Sequence, residues 1–452
     1  MTRLLPPLRW LPFVFSSVVL LVAATGAFSQ VQVSERVFLV EDPQASALDF
    51  QMVVRAGCAD EAGGCRGIAH YLEHLVLAGR DGKSENAALP TFPGMMSNGW
   101  TTSRATAYTH RVPVSSEGPK ATLERLFRFY AARLRPFEIT RELEARERQI
   151  VLQEYDWRLG SSPAAPLLRK IDQQLFGDHP LGSWPIGHRN EILGLKAADA
   201  KAFHESWYHL PNVVFVLRGN LTPELVREVA EKALADLPTS AALPPRPSER
   251  AVEVDAARMD IVVQEEKATQ RSIVLRKLFR MPEREEMAEL AMLTVLNQML
   301  ASRLPGSLHD FVVERRKIPN ESLSASLARI QPGLFLLDLR ADIVEGIDSA
   351  VLAGALEDFQ REAGDLAPSA RNIERMRRRS IEAMSERSKA PERVYPELVQ
   401  WLAAGRPFSE FGRMPVYLER VTDAEIAAAY AAFSGPGRLV SGVLIPKERA
   451  RP

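Results

Sequence analysis

The sequence is short of the residues that would mark it as a specialised chain. Two cysteines in 452 residues cannot hold together a disulfide-dependent mini-domain, and 57 basic against 57 acidic side chains leave no cationic footprint for nucleic acid. Only eight histidines are present, so a metal-binding spacing among them carries weight. With 46% hydrophobic and 25% charged residues, the composition excludes a disordered, collagenous or polytopic membrane chain. At about 100 to 200 residues per domain, the length suits two large domains or several smaller ones.

One long apolar run is present, at the start. Arg3 and Arg9 precede an apolar stretch over 10–28, and small residues at Ala27 and Ser29 supply a cleavage site, so residues 1–29 read as a secretory signal peptide. Pro12, Ser16, Ser17 and Gly26 interrupt the run too often for a stable span. Export follows, to the periplasm if the source is a Gram-negative bacterium, with no stable membrane span after cleavage.

Periodicity predicts strands over 36–41 and 47–55, a helix over 67–78, a Thr-rich polar strand with its approach loop over 94–113, helices over 121–134 and 141–159, and a buried strand over 212–217. A proline-rich linker at 238–252 separates an N-terminal domain, 30–237, from a C-terminal domain, 253–452. Beyond it, strands at 260–263, 272–275, 323–327, 334–339 and 439–444 alternate with helices. Both halves follow the order strand, strand, helix, strand, helices, strand. The expected class is α+β, with two similar domains, each a mixed β-sheet with helices packed on it.

The sharpest chemical signal is His70-Tyr71-Leu72-Glu73-His74. On a helix, positions i and i+4 share a face, so both imidazoles reach one metal while Glu73 leans toward the same point. This is the inverted zincin pattern, H-x-x-E-H. A catalytic zinc needs a third protein ligand, and the charged helix over 141–159 offers Glu147 and Glu154, seven residues apart and nearly on one face. By itself that helix reads more readily as a solvated, salt-bridged surface with no special role.

With Gly67-Ile68-Ala69 before the motif and Glu147-Arg148-Gln149-Ile150-Val151-Leu152-Gln153-Glu154 after it, the chain resembles the insulinase/pitrilysin family of zinc metallopeptidases. The stretch from Asn98 to Tyr108, Gly187 to Ile192 and Trp207 to Asn212 resemble further landmarks of that family. The resemblance implies one Zn2+ per chain held by His70, His74 and Glu154, with Glu147 supporting the site. Glu73 is then the general base of a zinc metalloendopeptidase, and Asn98, Thr101 and Tyr108 belong to a strand that pairs with the peptide substrate.

One departure stands out. Active members complete the site with an Arg and a Tyr in a segment reading roughly Leu-Arg-Glu-Lys-Arg-Gly-Leu-Ala-Tyr, whereas Val313 and Asn320 hold those places in Val312-Val313-Glu314-Arg315-Arg316-Lys317-Ile318-Pro319-Asn320. This resembles the catalytic half of two-subunit members. The expected partner is a homologous subunit carrying the Arg-Tyr pair, and the expected substrates are peptides or unfolded segments. The alternative is a non-catalytic binding or assembly subunit with a vestigial zinc site. Cys58 and Cys65 flank the loop before the zinc helix, either disulfide-linked or as two free thiols. His110 reads as a solvated strand histidine, and Arg375 to Arg379 as a charged helix face.

Overall fold

The computed structural model describes residues 20–21, 29–78, 89–114 and 118–447, so the predicted signal peptide falls almost wholly outside the described residues. The strands are β1 Leu20–Leu21, β2 Gln30–Ser34, β3 Val37–Glu41, β4 Ala47–Val54, β5 Met96–Thr101, β6 Thr106–Pro113, β7 Val213–Gly219, β8 Arg258–Glu265, β9 Ser272–Arg280, β10 Ser324–Gln331, β11 Leu334–Asp342 and β12 Gly437–Pro446. The first seven helices are α1 Ile68–Ala78, α2 Gly118–Arg133, α3 Arg141–Gly160, α4 Ala165–Phe176, α5 Arg189–Gly194, α6 Ala197–Trp207 and α7 Pro223–Leu234. They are followed by α8 Glu286–Leu300, α9 Ser349–Glu362, α10 Ala370–Arg387, α11 Pro391–Ala403, α12 Met414–Arg420 and α13 Asp423–Ser434.

The strands form two sheets that divide at the proline-rich segment. The first has the order β1-β2-β3-β7-β4-β6-β5, the second β10-β11-β9-β12-β8. Each is mixed: β3 runs parallel to β7 and β12 parallel to β8, while the other pairings are antiparallel. The molecule is α+β, built from two similar halves.

Central strands buried on both faces explain the unbroken apolar runs in the sequence. In β7, Val213, Phe215 and Leu217 face the core beneath α1, α2 and α7, while Val214 and Val216 face the opposite way. What covers that second face comes from the other half of the chain: Val394, Leu398, Val399 and Leu402 of α11 lie on it. The exchange is reciprocal. Leu167, Ile171 and Leu175 of α4 cover Val274, Leu278, Val440 and Leu444 of the second sheet. Asp172 of α4 also pairs with Arg276 of β9. Each half therefore shields one face of the other's sheet, and burying each such Leu, Ile or Val side chain contributes about 1.5 to 3 kcal/mol.

The proline-rich segment is a docked strap. Ser248 Oγ donates to Asp60 Oδ1 at 2.9 Å, Arg246 pairs with Asp60 at 3.2 Å, and the Val252 amide donates to Gln331 Oε1 at 3.0 Å. The Thr-rich stretch, expected to be one strand with its approach loop, is two strands: β5 and β6 form a hairpin in which Asn98 faces Thr109 and Gly99 faces Tyr108. β5 is the outer edge of its sheet. No described helix is long and apolar enough to cross a membrane.

Candidate metal site

The site begins in the loop before α1. Cys58 and Cys65 are joined by a disulfide. Inside the loop Glu61 is fully buried, and its carboxylate accepts hydrogen bonds from the amides of Arg66 (2.7 Å) and Ala69 (2.9 Å). The bond from Ala69 thereby satisfies a free donor in the first turn of α1, and that from Arg66 holds the chain just before it. Burial pushes the Glu61 pKa up to about 7, against the pull of these backbone donors. The same loop holds the tip of the β5–β6 hairpin, through Cys58 N to Thr102 O (3.1 Å) and Ala59 N to Ser103 O (2.9 Å). Gly57 permits this approach, since a Cβ there would lie 2.2 Å from Thr102 O. One stapled loop thus positions both the motif helix and the edge hairpin.

On α1, Tyr71, Leu72, Leu75 and Val76 turn into the core, which leaves His70, Glu73 and His74 toward the cleft. On α3, Val151 and Leu152 anchor the helix while Glu147 and Glu154 face α1. His70 Nε2 and His74 Nε2 lie 3.3 and 3.2 Å from the same oxygen, Glu154 Oε2. Behind them, Glu147 Oε2 stands 3.6 Å from His74 Nδ1 and Oε1 pairs with Arg146 at 2.9 Å. Nδ1 of His70 is buried and has no hydrogen-bond partner among the described residues.

This arrangement suits a cation. Ligand atoms of His70, His74 and Glu154 all lie within 4.8 Å of one another. Zinc bonds of about 2.0 to 2.1 Å in tetrahedral geometry place neighbouring ligand atoms roughly 3.3 Å apart, close to the two spacings found. The electrostatics agree. Burial opposes a charge on His74, but hydrogen bonding to Glu147 and Glu154 overcomes it and raises the pKa to about 9. Glu154 is held well below the usual carboxylate range by the two imidazoles, despite partial burial. A pocket that favours positive charge at its centre suits a divalent cation.

Glu73 lies apart from that oxygen. Its carboxylate accepts a hydrogen bond from Thr101 Oγ1 at 2.7 Å, and burial raises its pKa. It rests directly against β5: a Cβ on Gly99 would meet Glu73 Oε1 at 2.3 Å. Around these groups is a cleft of about 420 Å³, walled by β5 residues 97–101 on one side and by Leu77, Leu89, Pro185 and Ile186 elsewhere.

Two expectations about the substrate strand change. Tyr108 is fully buried, its hydroxyl 2.6 Å from that of Tyr208, because alternation along β6 turns it into the core, so it cannot touch a bound peptide. Thr101 lines the cleft, but its hydroxyl is engaged with Glu73. Asn98 is exposed and lines the cleft. His110 is buried rather than solvated, bonded to Ser97 Oγ at 2.9 Å and to the Tyr130 hydroxyl, and burial lowers its pKa to about 4. Arg158, which lines the cleft one turn beyond Glu154, was not singled out from sequence. Its i+4 spacing from Glu154 was the available signal.

In the second half, Lys317 is the one described non-glycine residue with positive φ, at 57°. It stands where the resembled segment has Gly, a residue that adopts this left-handed conformation readily. Asn320 donates to Asp342 O at 2.7 Å and accepts from the Ser322 amide at 2.9 Å. Neighbouring Arg315 and Arg316 are paired with Asp310 at 2.9 Å and Glu362 at 2.6 Å.

Comparison with known proteins agrees with this geometry. The family model described as Insulinase (Peptidase family M16) matches residues 36–183, and the Peptidase M16 inactive domain model matches residues 194–372. The chain belongs to the insulinase family of metallopeptidases. It is 22% identical over 302 residues to the zinc protease PqqE of Helicobacter pylori, covering 65% of this chain and 64% of that one. It is 25% identical over 202 residues to the probable mitochondrial-processing peptidase subunit beta of Schizosaccharomyces pombe, covering 44% and 42%. It thus spans less than two thirds of the length of these curated relatives. The crystal structure of the periplasmic protease PqqL from Escherichia coli superposes with a TM-score of 0.75 at 15% identity, over 93% of this chain and 48% of that one, which shows a shared fold.

Proposed function

We propose that the chain is a zinc-dependent endopeptidase of peptides or unfolded segments, acting as the catalytic subunit of a heterodimer. The observation that carries this reading is the convergence of His70, His74 and Glu154 beside a separately held Glu73, at an open sheet edge. His70, His74 and Glu154 would hold the metal, with Glu147 orienting His74 through its second ring nitrogen. Bound zinc supplies a polarised carbonyl and an acidified water at neutral pH. Glu73 takes the proton of the attacking water and returns it to the leaving amine. Thr101 fixes the carboxylate for that task. An extended peptide pairs with the outer edge of β5 past Asn98, through backbone contacts with little dependence on sequence.

Val313 and Asn320 supply neither a cation nor a hydroxyl comparable to the missing Arg and Tyr, so a homologous subunit is proposed to bring them. The relative named as a subunit supports that reading. Export is proposed on the N-terminal signal pattern, the paired cysteines, which suit an oxidising compartment, and the periplasmic neighbour.

The test is Glu73→Gln in the purified chain, alone and with a partner that carries the Arg-Tyr pair. Hydrolysis of an unfolded peptide should fall by about 10² to 10⁴ while zinc content is unchanged. Normal turnover by the variant would remove Glu73 from the mechanism, and full activity of the wild-type chain alone would remove the partner. Zinc binding without hydrolysis in any pairing would favour the binding-subunit alternative.

A further inference from the structure

Among the described residues lining the cleft, Arg158 is the one Arg or Lys. It follows Glu154 by one turn of α3, and its guanidinium meets Glu154 Oε1 at 2.5 Å. Glu154 is thus divided between two tasks, with Oε2 toward the imidazoles and Oε1 toward Arg158. A guanidinium carries five N–H donors in a planar fork, and one carboxylate oxygen does not use them all. The side chain is 57% exposed and lines the cleft, which leaves donors accessible to a ligand there. Of the remaining walls, Leu77, Leu89, Pro185 and Ile186 offer no charge to compete for them.

A helical Glu–Arg pair at i, i+4 is worth only a few tenths of a kcal/mol as a structural element. Its position matters more here, because in a cleft whose carboxylates Glu73, Glu147 and Glu154 are set against His70, His74 and the metal they would hold, Arg158 is the cationic side chain placed beyond the metal ligands. Its fork is matched to a carboxylate in shape as well as in charge.

We infer that Arg158 is a specificity-determining residue, which makes the cleft favour peptides carrying a carboxylate beside the scissile bond. That carboxylate is an acidic side chain or the C-terminus of the peptide. The inference rests on the proposed peptidase reading and names the substrate class for that site.

The test uses the full zinc-loaded chain carrying Glu73→Gln, so that binding is read by fluorescence anisotropy without turnover. Three peptides of otherwise identical sequence are compared: one neutral and amidated, one with a Glu side chain, and one with a free C-terminus close to the bond. Binding of at least one carboxylate peptide should be about fivefold tighter than that of the neutral one, as expected for a partly exposed ion pair. The two carboxylate peptides show which source is read. Adding Arg158→Gln should abolish the preference, and Arg158→Lys should restore part of it. Equal binding of all three peptides overturns the inference. So does an equal loss for all three in Arg158→Gln together with lost zinc, since Arg158 would then serve Glu154 alone. Hydrolysis of the neutral peptide by the Glu73-bearing chain is scored separately. Its failure with the binding preference intact sinks the peptidase reading and leaves the carboxylate site standing.

Discussion

The two halves of the molecule lay a helix against an edge strand in the same way and use it for opposite ends. In the first half, α1 lies beside β5, and the contact between them is Thr101 donating to Glu73. In the second, α8 lies beside β10, also an edge. There Asn297 Oδ1 accepts from the Leu327 amide at 2.7 Å and Asn297 Nδ2 donates to the Leu327 carbonyl at 2.9 Å. The amide side chain closes the strand edge at that point, a recognised way of blunting an exposed strand. Where α1 turns ionisable groups toward a cleft, α8 turns its buried Glu289 onto the protein itself. That carboxylate accepts from the amides of Gly333 (3.0 Å) and Arg284 (3.2 Å) and pairs with Arg329 at 2.5 Å. On the proposed function the difference is that between a site and a scaffold: polar groups turned toward a cleft in one half are turned onto the protein itself in the other.

The largest effect expected from that contrast is at Glu154. Glu154→Ala should lose stoichiometric zinc, measured by metal analysis after dialysis, and with it peptide hydrolysis by 10³ or more, with the thermal transition of the apo chain little changed. Glu289→Ala should do the reverse. Removing one member of a buried pair costs about 3 to 5 kcal/mol, so chemical denaturation should show a large loss of stability with zinc stoichiometry intact in the folded fraction. If Glu289→Ala released zinc from a folded chain, the halves would be coupled more tightly than the contrast allows.

Much of this was legible in the sequence, and what was not has physical causes. The motif helix and the buried strands carry their own periodicity, so α1, β4 and β7 fall within a residue or two of their expected limits. Glu147 and Glu154 were ambiguous on spacing alone and needed the family resemblance to be selected. Tyr108 was misplaced because a Thr-rich stretch hides the hairpin turn at 102–105, and with it the alternation that decides which side chains face inward. The exchange of α4 and α11 could not be read at all: an apolar stripe says that a helix is covered, not which sheet covers it.

The starts of the two helices differ as well, and pH exposes the difference. The first turn of α1 is held by Glu61 from within the disulfide loop, whereas Glu285, at the N-cap of α8, makes no capping bond with its side chain. For a carboxylate with an ordinary pKa near 4.5, raised on folding to about 7, the unfolded chain ionises first as pH rises. Glu61 therefore contributes a loss of stability between about pH 4.5 and 7, complete above that, with a ceiling of about 3 kcal/mol at 1.36 kcal/mol per unit. Glu61→Gln removes the titration. At low pH the protonated carboxyl and the Gln amide are alike, so the urea midpoints of the two proteins should lie close together there and separate as pH rises through that window, the wild type falling, and a constant gap would show that Glu61 does not titrate there.

The smallest effect tests the closed edge. Asn297→Ala leaves the Leu327 N–H and carbonyl without their side-chain partner on a half-buried strand, at a cost of about 1 to 3 kcal/mol. Because Leu327 still pairs with Leu337 of β11, the strand should stay in register and the loss should be local. Amide exchange at Leu327 should quicken markedly while exchange along β9 is unchanged. On β5 the Gly99 amide meets the side chain of its own neighbour, Asn98 Oδ1 at 3.0 Å, and not a group from the covering helix, so the edge should exchange faster than Leu327 in the wild type and slow when an extended peptide is bound. Protection at β5 in the free chain equal to that at Leu327 would mean that both edges are closed, and the contrast between site and scaffold would fail at the strand that the proposed activity depends on.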